Sequence, residues 1–339
     1  MRTGFGVKMT QSFHVIYLTI HIFKHVYGNS MPNNITVLDM NAEQMTCIEY
    51  DTLNQLKNLV KIKFKSGNMS YFPDKDCNNP LHEEDTRPLD LPNLKTMSLV
   101  GIKLLKAPNV SLMPQLEIIN LRYNMIEEIP GMPFMNNGLL REINLFQNSL
   151  QKAPNITGGC NNIDKITFNY NELTTIPEDY FRGCSIRSHA MRANRLTSFP
   201  NYDLLSDSLQ HVNNNANQIS GMITNDMVKN LPHLSSLQLQ NNTLQGVDAS
   251  FCHGNQPVEV NVFKNAVLKI FENPYRFCIH LLDTFSTKPK IDLTSTNIPC
   301  DHHRCWMKKY ASKFTIQIDD CPDGRVWAAV TEVDVCGEG

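Results

Sequence analysis

A short pattern with leucine at fixed places recurs along this 339-residue chain and restricts its fold more than any other feature. The template reads L-x-x-L-x-L-x-x-N-x-L, with other apolar residues standing for leucine in many copies. Four consecutive copies begin at Leu116, Leu140, Ile163 and Ile186, at spacings of 24, 23 and 23 residues. One unit of this length cannot bury its own apolar side, so stability requires stacking of neighbouring units. The pattern therefore predicts a solenoid.

Each copy contains a short strand, since successive strand side chains point to opposite faces. In the copy at Leu116 we expect Ile119 and Leu121 to point into the core, and Asn120 and Arg122 to point outward. An asparagine follows the predicted strand in register from copy to copy. These asparagines are Asn124, Asn148, Asn171, Asn194, Asn217, Asn242 and Asn265.

The template and its spacing resemble those of the extracellular leucine-rich repeat family, whose units are about 20–29 residues long. The resemblance implies that each asparagine side chain bonds backbone groups of the turn. It also implies an α/β-type leucine-rich repeat solenoid, with a curved parallel sheet on the concave face and irregular turns or short helices on the convex face. Recurrent prolines, which lack an amide donor, favour irregular backbone on the convex side. We count about eleven copies, from Ile35 to the segment that runs into Cys300.

The N-terminal end has the pattern of a secretory signal peptide in residues 1–30. Arg2 and Lys8 precede an apolar run at residues 13–23, and small residues follow it. A disordered or buried N-terminal segment is the alternative.

Three further regions follow the signal segment. Residues 31–93 are predicted to form N-terminal capping repeats with an acidic insertion around residues 74–92. Residues 94–296 form the main solenoid, and residues 297–339 form a C-terminal cap.

Ten cysteines, all after residue 30, indicate an oxidising compartment. Free thiols in a cytosolic protein are the alternative. Residues 297–339 resemble the cysteine-bearing C-terminal cap of secreted leucine-rich repeat proteins, and Trp306 matches the aromatic residue of that cap. The resemblance implies the pairs Cys300–Cys321 and Cys305–Cys336.

The other six cysteines are assigned from their places in the repeats. The N-terminal cysteine cluster of the family is missing, so we predict a reduced cap with one bridge, Cys47–Cys77. Cys160 and Cys184 precede neighbouring copies at nearly equivalent places. Adjacent strands lie about 4.8 Å apart, which suits the usual Cα separation of about 5.5 Å in a disulfide. We therefore predict Cys160–Cys184 and, by similar logic, Cys252–Cys278.

Five N-x-S/T sequons agree with passage through the secretory pathway. They are Asn34, Asn68, Asn109, Asn155 and Asn241. No apolar stretch after residue 30 is long enough to cross a membrane.

The sequence contains no catalytic motif, and we predict no enzymatic activity and no cofactor. Cys300, His302, His303 and Cys305 can imitate a zinc site, but we prefer two disulfide cysteines with exposed histidines between them. A formal net charge of −2 gives no electrostatic reason to expect binding of nucleic acid.

Outward strand residues supply the candidate binding surface, because arginine and tyrosine are favoured anchors of interfaces. The predicted binding residues are Arg122, Tyr123, Phe146, Asn169, Tyr170, Arg192, Asn215, Gln240 and Phe263. We predict a secreted, non-enzymatic recognition protein that binds an extracellular protein or glycan through its concave face, in recognition, adhesion or innate defence. Alternatives are a non-catalytic subunit or inhibitor of a secreted enzyme, and a structural protein of the extracellular matrix.

Overall fold

The computed structural model describes residues 15–16, 34–43, 46–77, 85–247, 259–261, 290–292, 294, 298–309, 311–312 and 315–337. They belong to two compact units. The N-terminal unit comprises residues 1–149 and 154–161, and the C-terminal unit comprises residues 150–153 and 162–339. Each unit is a parallel β-solenoid.

The N-terminal unit is a stack of parallel strands that pair in chain order. The described strands are β1 (Val15–Ile16), β2 (Val37–Asn41), β3 (Lys61–Lys65), β4 (Thr96–Val100), β5 (Ile118–Asn120) and β6 (Glu142–Asn144), and the helix α1 (Tyr50–Asn54) precedes β3. The register aligns the apolar template positions, so that Leu38, Ile62, Met97, Ile119 and Ile143 lie side by side and buried.

The C-terminal unit continues the same architecture. Its main strands are β7 (Ile163–Thr167), β8 (Ile186–Ala190), β9 (His211–Asn213), β11 (Ser236–Gln238), β13 (Glu259–Asn261), β14 (Lys290–Asp292) and β15 (Thr315–Gln317). A second, two-stranded parallel sheet joins β10 (Ser220–Ile223) to β12 (Thr243–Val247). Helical turns are short: 3-10 helices at Asp203–Leu205, Asn225–Met227, His302–Arg304 and Trp327–Ala329, then α2 (Cys305–Lys309) and α3 (Glu332–Cys336).

The number of strands differs slightly from the predicted repeat count. Each of the eleven predicted copies contributes a strand, and β1 and β15 add one at each end. β1 lies in the predicted signal segment and pairs with β2, while β15 lies in the predicted cap and pairs with β14.

The asparagine ladder is present and bonds as the family resemblance implies. Oδ1 of Asn124 accepts from the amides of Ile102 and Leu104, both at 3.1 Å, and Nδ2 donates to the carbonyls of Leu99 and Leu121, both at 2.8 Å. Side chains at the same template position bond similarly at Asn148, Asn171, Asn194, Asn217 and Asn242. Asn265 lies outside the described residues. The ladder satisfies buried backbone groups that would otherwise destabilise the coil.

The described part of the acidic insertion packs against α1. The guanidinium of Arg87 lies 3.9 Å from the ring centroid of Tyr50 and also binds the buried carboxylate of Asp85. The hydroxyl of Tyr50 donates to the carbonyl of Pro88 at 3.2 Å. Hydrogen bonds from Arg87 lower the pKa of Asp85. The insertion is therefore fastened to the N-terminal unit.

Three disulfides have the predicted pairing. Cys47–Cys77, Cys300–Cys321 and Cys305–Cys336 have Cα separations of 5.6, 5.4 and 4.7 Å. Cys160 and Cys184 are each disulfide-bonded. Cys252 and Cys278 lie outside the described residues, so their pairing stays a prediction, as does that of Cys160 with Cys184.

The C-terminal cap has its own small core. Cys300, Cys321, Val330 and Val335 are buried together, with Trp327 packed against them. The side chain of Trp306, which matched the family's aromatic position, lies outside what the structure describes.

A buried arginine joins the segments of the cap. Arg304 is only 1% exposed. Its guanidinium donates to the carbonyl of Ile298 at 2.6 and 2.9 Å and to that of Asp319 at 3.0 Å. It also lies 5.2 Å from the ring centroid of Trp327. One side chain therefore links the start, middle and end of the cap.

Candidate functional site

The eighth template position, just before the ladder asparagine, adopts a left-handed backbone. Tyr123 has φ +61° and Tyr170 has φ +58°. Their amides donate to the carbonyls of Phe146 and Arg192 in the following copy, at 2.9 and 2.8 Å. The position is also left-handed at Ser66, Gly101, Gln147, Ala193, Ala216 and Asn241. A bulky residue at positive φ is uncommon and strained, so two tyrosines here point to a use for their side chains.

In the N-terminal unit, the structure brings together three of the predicted binding residues. The rings of Tyr123 and Phe146 meet edge to face with centroids 5.2 Å apart. The guanidinium of Arg122 lies 5.6 Å from the Tyr123 centroid, within the range of a cation–π contact. Tyr123 remains 46% exposed. The cluster is thus an apolar surface with a cation beside it, held by the ends of β5 and β6.

In the C-terminal unit, a second cluster has the same chemistry. The guanidinium of Arg192 lies 5.7 Å from the ring centroid of Tyr170, which is 41% exposed. The backbone amide of Arg192 donates to Oδ1 of Asn169 at 2.7 Å. Arginine and tyrosine thus come from successive copies, and the asparagine fixes the backbone that carries the arginine.

The amide residues farther along behave differently from the prediction. Asn215 is only 5% exposed, and its side chain bonds both Gln238 and Gln240. Asn215 therefore offers little surface to a ligand, because the longer glutamines beside it enclose it, and its part in binding stays a prediction. Gln240 is half-buried and stays accessible. Phe263 lies outside the described residues.

A row of lysines was missed by the sequence reasoning. Lys61, Lys63 and Lys65 alternate along β3 on the outward face, and Lys63 lies near a carboxylate of the described residues, that of Asp39 at 3.8 Å. The alternation in KIKFK was the available signal.

The sequence reasoning also missed a buried polar network. Two of its members, His189 and Asn214, stand at template positions where leucine is expected. Within the core of the C-terminal unit, Nδ1 of His189 lies 3.2 Å from the hydroxyl of Tyr202, and that hydroxyl lies 3.3 Å from Oδ1 of Asn214. His189 is fully buried among Phe168, Phe181 and Tyr202, and its Nε2 has no hydrogen-bond partner. Burial lowers the pKa of His189 to about 3 and raises that of Tyr202. The imidazole is therefore neutral at physiological pH.

The described residues contain no group of side chains placed to hold a metal ion. Cys300 and Cys305 form disulfides and so supply no thiolate beside His302. None of the helices in the described ranges is long and apolar enough to cross a bilayer.

Known structures share this architecture. A leucine-rich repeat protein of Leptospira interrogans is similar over 87% of this chain and 77% of its own, with 17% identity and a TM-score of 0.57. The chain has the leucine-rich repeat fold. An internalin of Listeria monocytogenes shares the leucine-rich repeat fold over 85% of this chain and 69% of its own. The identity is 16% and the TM-score is 0.53.

A plant peptide hormone receptor, solved in complex with its peptide, shares the leucine-rich repeat fold over 85% of this chain and 52% of its own, with 15% identity and a TM-score of 0.55. No family model matches the sequence, and no curated protein matches it. At these identities the likeness extends to the leucine-rich repeat fold alone.

Proposed function

We propose that this chain is a secreted, non-enzymatic recognition protein whose outward sheet faces bind an extracellular protein or glycoconjugate. The observation that carries the proposal is the pair of exposed tyrosines, Tyr123 and Tyr170, each held at a left-handed position with an arginine against its ring.

The composition of the two clusters supports binding of a macromolecule. Tyrosine and arginine are enriched among residues that dominate binding energy. A tyrosine held by its backbone turn and by a neighbouring side chain loses little freedom when a partner arrives, which favours affinity. A strained tyrosine does not improve the coil, where glycine adopts the same backbone readily.

The disulfides support secretion. They close the N-terminal capping repeats and the C-terminal cap, and such bonds persist in oxidising compartments. The resemblance in fold to the ectodomains of plant receptors also agrees with an extracellular role.

The burial of His189 agrees with a non-enzymatic role. Among the described groups whose ordinary pKa lies near neutrality, His189 has the strongest shift in pKa. Its side chain is sealed in the core and does not contact solvent. A general acid or base must reach its substrate, so this histidine is unsuitable.

Affinity capture of secreted proteins and glycans with matched variants tests the proposal. The binding variants are Tyr123→Ala and Tyr170→Ala. The controls are Leu105→Ala and Leu204→Ala, which remove exposed apolar side chains away from the two clusters. We expect a partner retained by wild type and both controls and weakened by at least one tyrosine variant. Equal recovery of every partner by all variants would reject the surface.

A further inference from the structure

An exposed apolar patch lies in the N-terminal unit on the side of the coil that follows the strands. Leu112, Met132 and Met135 are 42%, 55% and 53% exposed, and we name them the methionine patch. Exposed apolar side chains that are grouped on a protein surface favour a covering group or a partner.

The copies on either side of the two methionines each carry a sequon at the same template place. Asn109 lies fifteen residues after Leu94, and Asn155 lies fifteen residues after Leu140. Met132 and Met135 belong to the intervening copy, which has no sequon. The patch is therefore bracketed by two potential glycan attachment sites.

Contacts show that these copies touch at the patch. Nδ2 of Asn136 donates to the carbonyl of Ser111 at 3.1 Å, which joins the first copy to the second. On the other side, a Cβ on Gly158 would lie 2.5 Å from the carbonyl oxygen of Met135, so glycine is required there for the close approach. Leu112 therefore lies three residues after Asn109, and Met135 lies against Gly158, three residues after Asn155.

Both asparagines are exposed, and each is held by a hydrogen bond within its own sequon. Asn109 lies exposed between buried Pro108 and Val110, and Asn155 has the equivalent setting between Pro154 and Ile156. In each, Oδ1 accepts the amide hydrogen of the hydroxyl residue of its sequon, at 3.1 Å for Asn109 and 2.9 Å for Asn155. The bond engages Oδ1, and Nδ2, the nitrogen that carries an N-glycan, belongs to the same exposed side chain.

We propose that N-linked glycans on Asn109 and Asn155 cover the methionine patch and keep this side of the N-terminal unit out of protein contacts. The inference rests on the proposed secretion, since attachment requires the secretory pathway. The outward sheet face, which carries Arg122, Tyr123 and Phe146, has neither of these two sequons and stays open for a partner.

Methionine oxidation of the full chain, expressed in eukaryotic secretory cells, tests the cover directly, because exposed methionine reacts with peroxide to give the sulfoxide. Ser111→Ala with Thr157→Ala removes both sequons and leaves Asn109 and Asn155 in place. Ser111→Thr with Thr157→Ser preserves both sequons and is the matched control. Met222, 40% exposed in the C-terminal unit, is the internal reference.

We expect glycopeptide mass spectrometry to find Asn109 and Asn155 occupied in wild type and in the control pair. The oxidation rates of Met132 and Met135, relative to Met222, should rise several-fold in the alanine pair. Should the alanine pair fail to be secreted, enzymatic removal of glycans from folded wild type should produce the same rise.

Two results would overturn the inference while leaving secretion intact. One is occupancy of other sequons with Asn109 and Asn155 unmodified. The other is occupancy of both with methionine rates unchanged by glycan removal. A chain that is retained inside the cell and carries no glycan at any of its five sequons would instead overturn the proposed secretion, and the glycan cover with it.

Discussion

The rings of Tyr123 and Phe146 meet edge to face at 5.2 Å although the residues belong to successive repeat copies. The backbone amide of Tyr123 also donates to the carbonyl of Phe146 at 2.9 Å. The same two residues are therefore joined by backbone and by side chain. The hydrogen bond fixes where the left-handed turn presents the tyrosine, and the ring of Phe146 fixes its orientation.

This arrangement predicts that Tyr123 serves binding more than stability. Tyr123→Gly should change the free energy of unfolding by less than about 2 kcal/mol, because relief of left-handed strain of about 1–2 kcal/mol opposes loss of an aromatic contact of about 0.5–1.5 kcal/mol. Partner binding should fall sharply. Urea unfolding and affinity measured on the same preparation check both halves. The control Leu121→Ala should lose about 2–5 kcal/mol, since it opens a core cavity.

The asparagine ladder predicts that loss of one of its side chains lowers the free energy of unfolding strongly. Asn194→Ala leaves the carbonyls of Phe168 and Met191 and the amide of Leu173 without their side-chain partner. Each buried unsatisfied group costs about 1–3 kcal/mol, so we expect a loss of at least about 3 kcal/mol in chemical unfolding. Asn213→Ala, at an outward and half-buried asparagine, should cost about 1 kcal/mol or less. Similar losses for the two variants would contradict the ladder's role.

His189 predicts acid sensitivity of the C-terminal unit. Its folded pKa is about 3 and its ordinary value is 6.5, so the unfolded chain takes up the proton first as pH falls. The contribution to stability is complete above pH 6.5 and is lost progressively from there toward pH 3, by up to about 1.4 kcal/mol per pH unit. His189→Leu should flatten this dependence in thermal unfolding measured across that range. An unchanged slope would show that the acid sensitivity has another source.

Arg304 predicts a structural role in the cap. Arg304→Met removes the bonds to the carbonyls of Ile298 and Asp319 and should raise the rate of proteolysis in residues 298–337, with a loss of about 2–3 kcal/mol in stability. Val333→Ala, at a side chain that is 59% exposed in the same cap, is the control and should change either quantity little.

The sequence determined much of this fold because the leucine template restates one constraint in every copy. The register that aligns Ile62, Met97 and Ile119 follows from the pattern, and so does the ladder through Asn124 and its equivalents. The template tolerates a polar residue at a single leucine position, however, and the pattern does not predict the contacts of such a residue. His189 and Asn214 stand at leucine positions, and only the structure shows that Tyr202 joins them.

The candidate site was predicted in part. Outward positions along a strand follow from alternation, which identified Arg122, Phe146 and Arg192. The left-handed backbone at Tyr123 and Tyr170 depends on hydrogen bonds to the following copy, which no local pattern reveals. The burial of Asn215 could not be predicted, because it depends on glutamines in another copy.

Side-chain footprinting by hydroxyl radicals, with and without a bound partner, tests the central claim most directly. The account predicts that partner binding protects at least one of Tyr123 and Tyr170, while exposed Leu105 and Leu204 react as before. Protection of Leu105 or Leu204 with both tyrosines unchanged would contradict recognition through the outward sheet faces.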